Sequence, residues 1–470
     1  MNLSRLTLYG TLLLVLVLFL PLSCTSTVTE KQGDSSSEAG NAPEKPKEIL
    51  PVEPEPTLLE SLTELNAVED GQKDLALLEK AETLTLEERI LKSALMVSEG
   101  YWKEAREELN RLLEENPGHP DVLYNLALLE NAEGDNAARD ETIGAILKTN
   151  PDHEDGLLLK GTIDFSAKRY KQADQSFSRI LSKNPKNFMA LSGAGSAQMN
   201  LDNLEGAVKL LNRAIELEPD FAYLYVDRAR AFRGLKKYGK AEEDYGRAIE
   251  LEPDVEWHYL DRTRIFIQYF HDLENAWEDL EQIERINPDN LFANIYKAGV
   301  LDEWQRYDEA EVYYEKILRA RPDYGYAHEP LAKYAYMKGD FKKAKNHFLQ
   351  AYEFESRDVM YVLAAALCME KSGDRKNAEK LLKEVIPRVT RDSIEYEMFR
   401  YYLQPGSNYF ITDKIAKETN EDLRSRMYFY LGARDDLQGL RRSALASYEQ
   451  VDDYTGFFES ELAAWERNNP

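Results

Sequence analysis

Residues 222–255 read AYLYVDRARAFRGLKKYGKAEEDYGRAIELEPDV, and this stretch decides the fold. It holds two helical segments of similar length, closed by Pro253-Asp254. Ala229 and Ala241 sit where two antiparallel helices have to approach closely, and Tyr245 is large enough to fill the layer against a following pair. Proline lacks an N–H and disfavours the helical conformation of the residue before it, so Pro253 ends the second helix. The aspartate after it is a turn and helix-start signal.

Working outward, the closing proline recurs at Pro117, Pro151, Pro185, Pro219, Pro253, Pro288 and Pro322, at intervals of 34, 34, 34, 34, 35 and 34 residues. A fixed period in this range marks a repeat array, and 34 residues suit a helix–turn–helix unit. With proline counted as position 32, units begin near residues 86, 120, 154, 188, 222, 256, 291, 325 and 359. Position 20 carries Ala105, Ala173, Ala207, Ala241, Ala310, Ala344 and Ala378; position 8 carries Gly161, Gly195, Ala229, Ala298, Ala332 and Ala366. Position 24 carries Leu109, Phe177, Leu211, Tyr245, Tyr314, Phe348 and Leu382. In the unit at 120 the pattern is degenerate, with Arg139 in a small position. The extra residue of the 35-residue interval falls near Tyr269-Phe270-His271-Asp272, between the two helices. Residues 393–424 keep only a rough hairpin, interrupted by Gln404-Pro405-Gly406-Ser407. The pattern returns at 425 with Leu431-Gly432, Ala444 and Tyr448. A last amphipathic segment, Phe457 to Arg467, is expected to cover the open end of the array, as terminal units of solenoids must.

This pattern resembles the tetratricopeptide repeat family over residues 86–392 and 425–458. The resemblance implies an all-α fold, a right-handed superhelical solenoid of about ten helix–turn–helix repeats. It also implies a concave groove lined by the first helix of each unit, which in the family mostly binds other polypeptides. Position 2, one of the groove positions in the family, reads Asp155, Met189, Tyr223, Trp257, Phe292, Tyr326 and Met360. Four consecutive aromatics flanked by methionine suit an extended peptide. Equally, such residues at helical spacing pack as core. Arg230, Arg233 and Arg264 fall near positions 9 and 12, followed by Asp302. They either orient a partner by charge or are solvated or paired with neighbouring acids.

The N-terminus reads as an address. Met1 to Arg5 carries one positive charge, Leu6 to Leu22 is a continuous 17-residue apolar run, and Ser23-Cys24 follows. That is the layout of a secretory signal. Leu20-Pro21-Leu22-Ser23-Cys24 resembles the lipobox of bacterial lipoproteins, in which the cysteine is lipidated and becomes the new N-terminus; Pro21 departs from the usual residue. An uncleaved membrane anchor and simple secretion are the alternatives. Residues 25–56 hold five of the chain's 18 prolines among Ser, Glu, Lys and Gly. They read as a disordered tether, because almost nothing apolar is there to offset the entropy of ordering. Residues 57–85 are expected to form an N-terminal helical cap.

Over its 470 residues the chain has 59 Lys and Arg against 85 Asp and Glu, a formal charge of −26. That excludes a nucleic-acid partner, which needs clustered basic residues. Two cysteines, Cys24 and Cys368, cannot build a disulfide framework or a four-thiolate zinc site. The six histidines are scattered, with no helical zinc spacing. Gly193-Ala194-Gly195-Ser196 lies inside a repeat helix, where packing explains it, and Cys368 sits in an apolar helix as a small core residue. No cofactor, metal or catalytic residue is expected, and no segment is left over for a catalytic domain. Function then divides between two readings. One is a lipid-anchored scaffold that binds a protein or peptide within a bacterial cell envelope, similar in outline to tetratricopeptide lipoproteins serving outer-membrane β-barrel assembly or pilus secretion. The other is a periplasmic ligand-binding component associated with a transporter, which a closed apolar pocket would favour.

Overall fold

The fold follows from the 34-residue lattice. The structure, a computed structural model, describes residues 84–404, 408–452 and 456–469 together with Leu75 and Leu78. The signal, the tether, Cys24 and nearly all of the proposed N-terminal cap lie outside the described residues. Among the described residues the regular structure is entirely helical, and it forms two compact units, one up to His271 and one from Asp272 onward.

The first unit contains α1 (Leu86–Ser98), α2 (Trp102–Glu115), α3 (Pro120–Ala132), α4 (Asn136–Thr149), α5 (Glu154–Ser166), α6 (Tyr170–Lys183), α7 (Phe188–Asn200), α8 (Leu204–Leu217), α9 (Ala222–Gly234), α10 (Tyr238–Leu251) and α11 (Glu256–Ile265). Each odd-numbered helix begins where a unit of the lattice begins. Each even-numbered one stops two residues before the lattice proline. The residue in between has left the helical region, as at Asn116 (ψ 73°) and Glu252 (ψ 76°), in keeping with proline disfavouring a helical predecessor.

The second unit contains α12 (Leu273–Ile286), α13 (Leu291–Glu303), α14 (Tyr307–Ala320), α15 (His328–Met337), α16 (Phe341–Phe354), α17 (Met360–Lys371), α18 (Arg375–Val385), α19 (Ile394–Leu403), α20 (Asn408–Ala416), α21 (Glu421–Leu437), α22 (Arg441–Tyr448) and α23 (Phe458–Asn468).

The close approach inside each hairpin is visible at position 8. A Cβ on Gly161 would lie 2.6 Å from the Phe177 ring, and one on Gly195 2.9 Å from Leu211, in both cases the position-24 side chain of the same unit. The position-20 alanines are completely buried. Adding bulk to such a seam costs about 1–3 kcal/mol. Between the paired helices, position 15 adopts the left-handed conformation unit after unit: Gly100, Gly134, Lys168, Asp202, Lys236, Gln305, Gly339, Gly373 and Gly439.

Two irregularities have local causes. The additional residue of the long unit does not sit in a loop. It widens the end of α11 into a π-turn, Phe266–Phe270, and shifts the left-handed residue to His271. Arg139, in the small position of the degenerate unit, stays buried because its guanidinium is held by Asn131 and Asn136, each at 2.6 Å, and by Asp140 at 2.8 Å.

The last helix makes a contact the repeat pattern does not predict. Besides packing on α21 and α22 of the final unit, α23 folds back onto α15. Phe458, Leu462 and Ala463 thereby enter the same core as α15–α22. The physical reason is that α23 carries a buried apolar stripe and a row of acids, and both find partners on earlier helices.

Candidate functional site: two concave faces

The helices that line the family's groove can be followed in each unit. In the first, a polar ladder runs along α7, α9 and α11. Ser196 Oγ donates to Asp227 Oδ2 at 2.6 Å. Arg230 lies 3.3 Å from Asp227 and 3.8 Å from Asp261, and Arg264 Nη1 donates to Asp261 Oδ1 at 2.6 Å. The register repeats: position 9 of one unit meets position 6 of the next, for Ser196–Asp227 and again for Arg230–Asp261. Asp227 and Asp261 are buried, and the arginine side chains are only 16% and 12% exposed. The guanidiniums are therefore mainly structural, holding adjacent hairpins in register. Of the alternatives for Arg230 and Arg264, solvated or paired, the second holds, with Asp227 and Asp261 among the partners. Arg233, at position 12 of α9, is half-buried beyond the ladder.

The position-2 ladder divides. Tyr223, Phe292 and Met360 are buried at 6%, 5% and 2% exposure. Tyr223 meets the edge of His258 at 5.8 Å, and His258 Nε2 lies 3.1 Å from Glu252. Offered as groove contacts, these three are instead buried: Tyr223 packs on His258 of the following hairpin and Met360 lies in the core of the second unit. Met189 and Trp257 are half-buried, leaving surface for a partner. Tyr326 is 50% exposed but leans edge-on against Phe354 at 4.8 Å. The predicted row of equivalent contacts is thus three core residues, two half-buried ones and one exposed ring. Asp155 is partly buried beside Asp121 and Glu154, and burial raises its carboxyl.

In the second unit the groove positions are already occupied. Lys333, position 9 of α15, donates to Glu461 of α23 at 2.7 Å. Tyr336, position 12, donates to Glu466 at 2.6 Å, and Lys371 of α17 reaches the same carboxylate at 2.8 Å. Arg426 of α21 bridges Asp358 and Glu459, each at 2.9 Å. Phe458 stacks on Tyr361 with centroids 5.6 Å apart. Glu459 has no exposed surface, and burial pushes its carboxyl up even with Arg426 beside it. Sequence reading missed this arrangement. The alternation of Glu459, Glu461 and Glu466 with Phe458 and Leu462 was its only available signal.

Little points to bond-breaking chemistry. Among the described residues no group of three His, Cys, Asp or Glu is placed to hold a metal ion. Cys368 is fully buried and burial raises its thiol, the opposite of an activated nucleophile. Ser196 is a ladder rung. His328 and His347, distant in sequence, do meet, with Nδ1 atoms 3.0 Å apart. Among the described residues no helix is long and apolar enough to cross a membrane.

Comparison with known proteins agrees with the repeat geometry. Sequence profiles described as tetratricopeptide repeat match residues 97–138, 164–231, 222–255 and 297–324. Among solved structures, PilF of Pseudomonas aeruginosa is 17% identical, with 49% of this chain and 100% of that one covered and a TM-score of 0.41. The C-terminal part of a repeat-containing protein from Cytophaga hutchinsonii is also 17% identical, covering 52% and 99% with a TM-score of 0.43. YrrB, described as a repeat protein with an unusual peptide-binding site, is 18% identical over 40% and 97%, TM-score 0.36. Residues 97–138, 164–255 and 297–324 are thus recognised as tetratricopeptide repeats, a repeat that generally mediates protein–protein interaction.

Proposed function

We propose that this protein is a non-enzymatic interaction scaffold that binds a polypeptide along the concave face of its first unit. It is held by a lipid on Cys24 at a membrane of a bacterial cell envelope, with its folded part in the periplasm or at the cell surface. The observation that carries the binding reading is that Met189, Trp257 and Arg233 on α7, α9 and α11 keep accessible surface beside an ion-paired polar ladder among the described residues. A rigid floor limits the entropy lost when a peptide is ordered on it. The anchor reading rests on the apolar run and Ser23-Cys24 alone. The transporter-linked ligand-binding reading draws no comparable support, because the groove floor is built of ion pairs rather than a closed apolar pocket.

Cross-linking pull-down from native envelopes tests the first reading. Trp257→Ala should reduce capture of the partner by about tenfold, the loss typical of an interface hot spot, with helical content unchanged. Capture at wild-type levels, or collapse of the fold, would show that the indole is core and defeat this placement. Cys24→Ala should abolish incorporation of labelled palmitate; persistent labelling would remove the lipid anchor.

A further inference from the structure

The hairpin α19–α20 breaks the repeat pattern, and beside it lies a cavity of about 610 Å³ between α18, α19 and α20. Its wall combines Lys383 of α18 and Arg400 of α19 with the rings of Tyr401 and Phe410 and the aliphatic Leu403 and Ile411. Three features distinguish it. The first is charge. In a chain of net −26, residues 375–391 carry six Lys and Arg against two Glu. The two acids in the wall are already engaged: Glu379 by Lys383 and Arg375, Glu397 by Arg400 and Lys414. The second is spare donor capacity. Lys383 and Arg400 are 65% and 60% exposed, and among the described residues Arg400 spends only Nη1, at 3.3 Å from Glu397. The third is exposed apolar surface in the wall and next to it in the chain. Phe410 is 55% exposed and its neighbour Tyr409 81%, the most exposed large hydrophobic side chain among the described residues.

We infer that this cleft is a second docking site, separate from the concave groove, and that its occupant is an acidic peptide segment with an apolar side chain at its centre. The apolar side chain enters between Phe410, Leu403 and Ile411. Carboxylates on either side meet Lys383 and Arg400, whose guanidinium donates to a planar bidentate partner. A peptide is favoured over a compact small molecule because a ligand confined to the cavity would leave the exposed ring of Tyr409 in water, whereas a chain running past the rim covers it. The basic run 375–391, which supplies one wall through α18, also favours such a segment over the acidic remainder of the chain.

The test uses the folded full-length chain and a fluorescein-labelled hexapeptide, Glu-Glu-Leu-Phe-Glu-Glu, read by fluorescence anisotropy. Binding should fall steeply with added salt, and the Lys-Lys-Leu-Phe-Lys-Lys counterpart should bind at least about tenfold more weakly. Lys383→Glu and Phe410→Ala should each weaken the acidic peptide by about tenfold. Both side chains are largely exposed, so circular dichroism should report an unchanged fold. Trp257→Ala, in the other unit, should leave this affinity unchanged, which separates the site from the groove reading. Equal binding of the two peptides, no binding, or insensitivity to both Lys383→Glu and Phe410→Ala overturns the proposal. So does binding of decanoate at the same residues without binding of the acidic peptide, which would assign the cleft to a small amphiphile.

Discussion

The two units build the faces of their first helices from the same repeat and use them in opposite ways. In the first, neighbouring hairpins are stitched together by Ser196–Asp227 and Arg230–Asp261, and among the described residues α7, α9 and α11 pack chiefly on helices close to them in sequence. In the second, Lys333, Tyr336, Lys371 and Arg426 all point their donors at one helix of the chain itself, α23. A cation at a groove position is thus no guide to a partner until its acid is known. Where the acid lies three residues back on the same helix or at position 6 of the next unit the cation is scaffold, and where it lies on α23 the groove positions have been filled.

The largest expected effect tests that filling. Arg426→Met leaves the fully buried Glu459 without its cation, and breaking one side of a buried pair costs about 3–5 kcal/mol. Urea unfolding followed by circular dichroism should show the loss. The double variant Arg426→Met, Glu459→Leu should recover most of it, because two apolar side chains tolerate burial that a lone carboxylate does not. If the single variant costs less than about 1 kcal/mol, α23 is a surface appendage and the second groove is open after all.

These outcomes also mark what sequence could and could not show. The hairpin stack was legible because its determinants are local and periodic: proline at position 32, small residues at 8 and 20, a large one at 24. Gly195 against Leu211 is a contact between two positions of one unit, so a period reveals it. The path of α23 is not periodic. Lys333 and Glu461 are 128 residues apart, and their meeting depends on curvature accumulated over several repeats. The aromatic row at position 2 misled for a related reason. A position shared by all units specifies a direction, but whether Tyr223 or Tyr326 is buried depends on the tilt of the following hairpin. Likewise the histidines scattered in sequence include one pair, His328 and His347, that the stacking of α15 on α16 brings together.

A smaller effect is expected from the ladder of the first unit. Asp261→Ala removes the acceptor shared by Arg230 and Arg264 and should destabilise by about 1–3 kcal/mol, the range for leaving buried donors short of a partner. Hydrogen exchange should localise the loss to α9 and α11, with α15–α23 unaffected. Loss of protection throughout the second unit instead would show that the ladder is not a device of the first unit alone.

The smallest effect distinguishes the units by acid. In the second unit, burial lowers His328 and His347, the latter to about 4, with Glu353 near the first and Lys343, Glu315 and Glu311 near the second. A depressed histidine binds fewer protons folded than unfolded, so its contribution is complete above the ordinary value near 6.5 and is lost as pH falls from there toward 4. Both rings remain partly exposed, and solvent screening holds the total to about 1 kcal/mol. In the first unit His153 instead faces Asp121 at 3.4 Å and lowers that carboxyl, so the corresponding loss begins only below the usual carboxylate range near 3.8. Unfolding of wild type and His347→Gln at pH 7 and pH 5 isolates the pair: wild type should lose stability on acidification and the variant should lose less. An identical pH response in both would mean that the pair does not report the packing of α15 on α16, and the acid sensitivity of the second unit would then rest on its carboxylates.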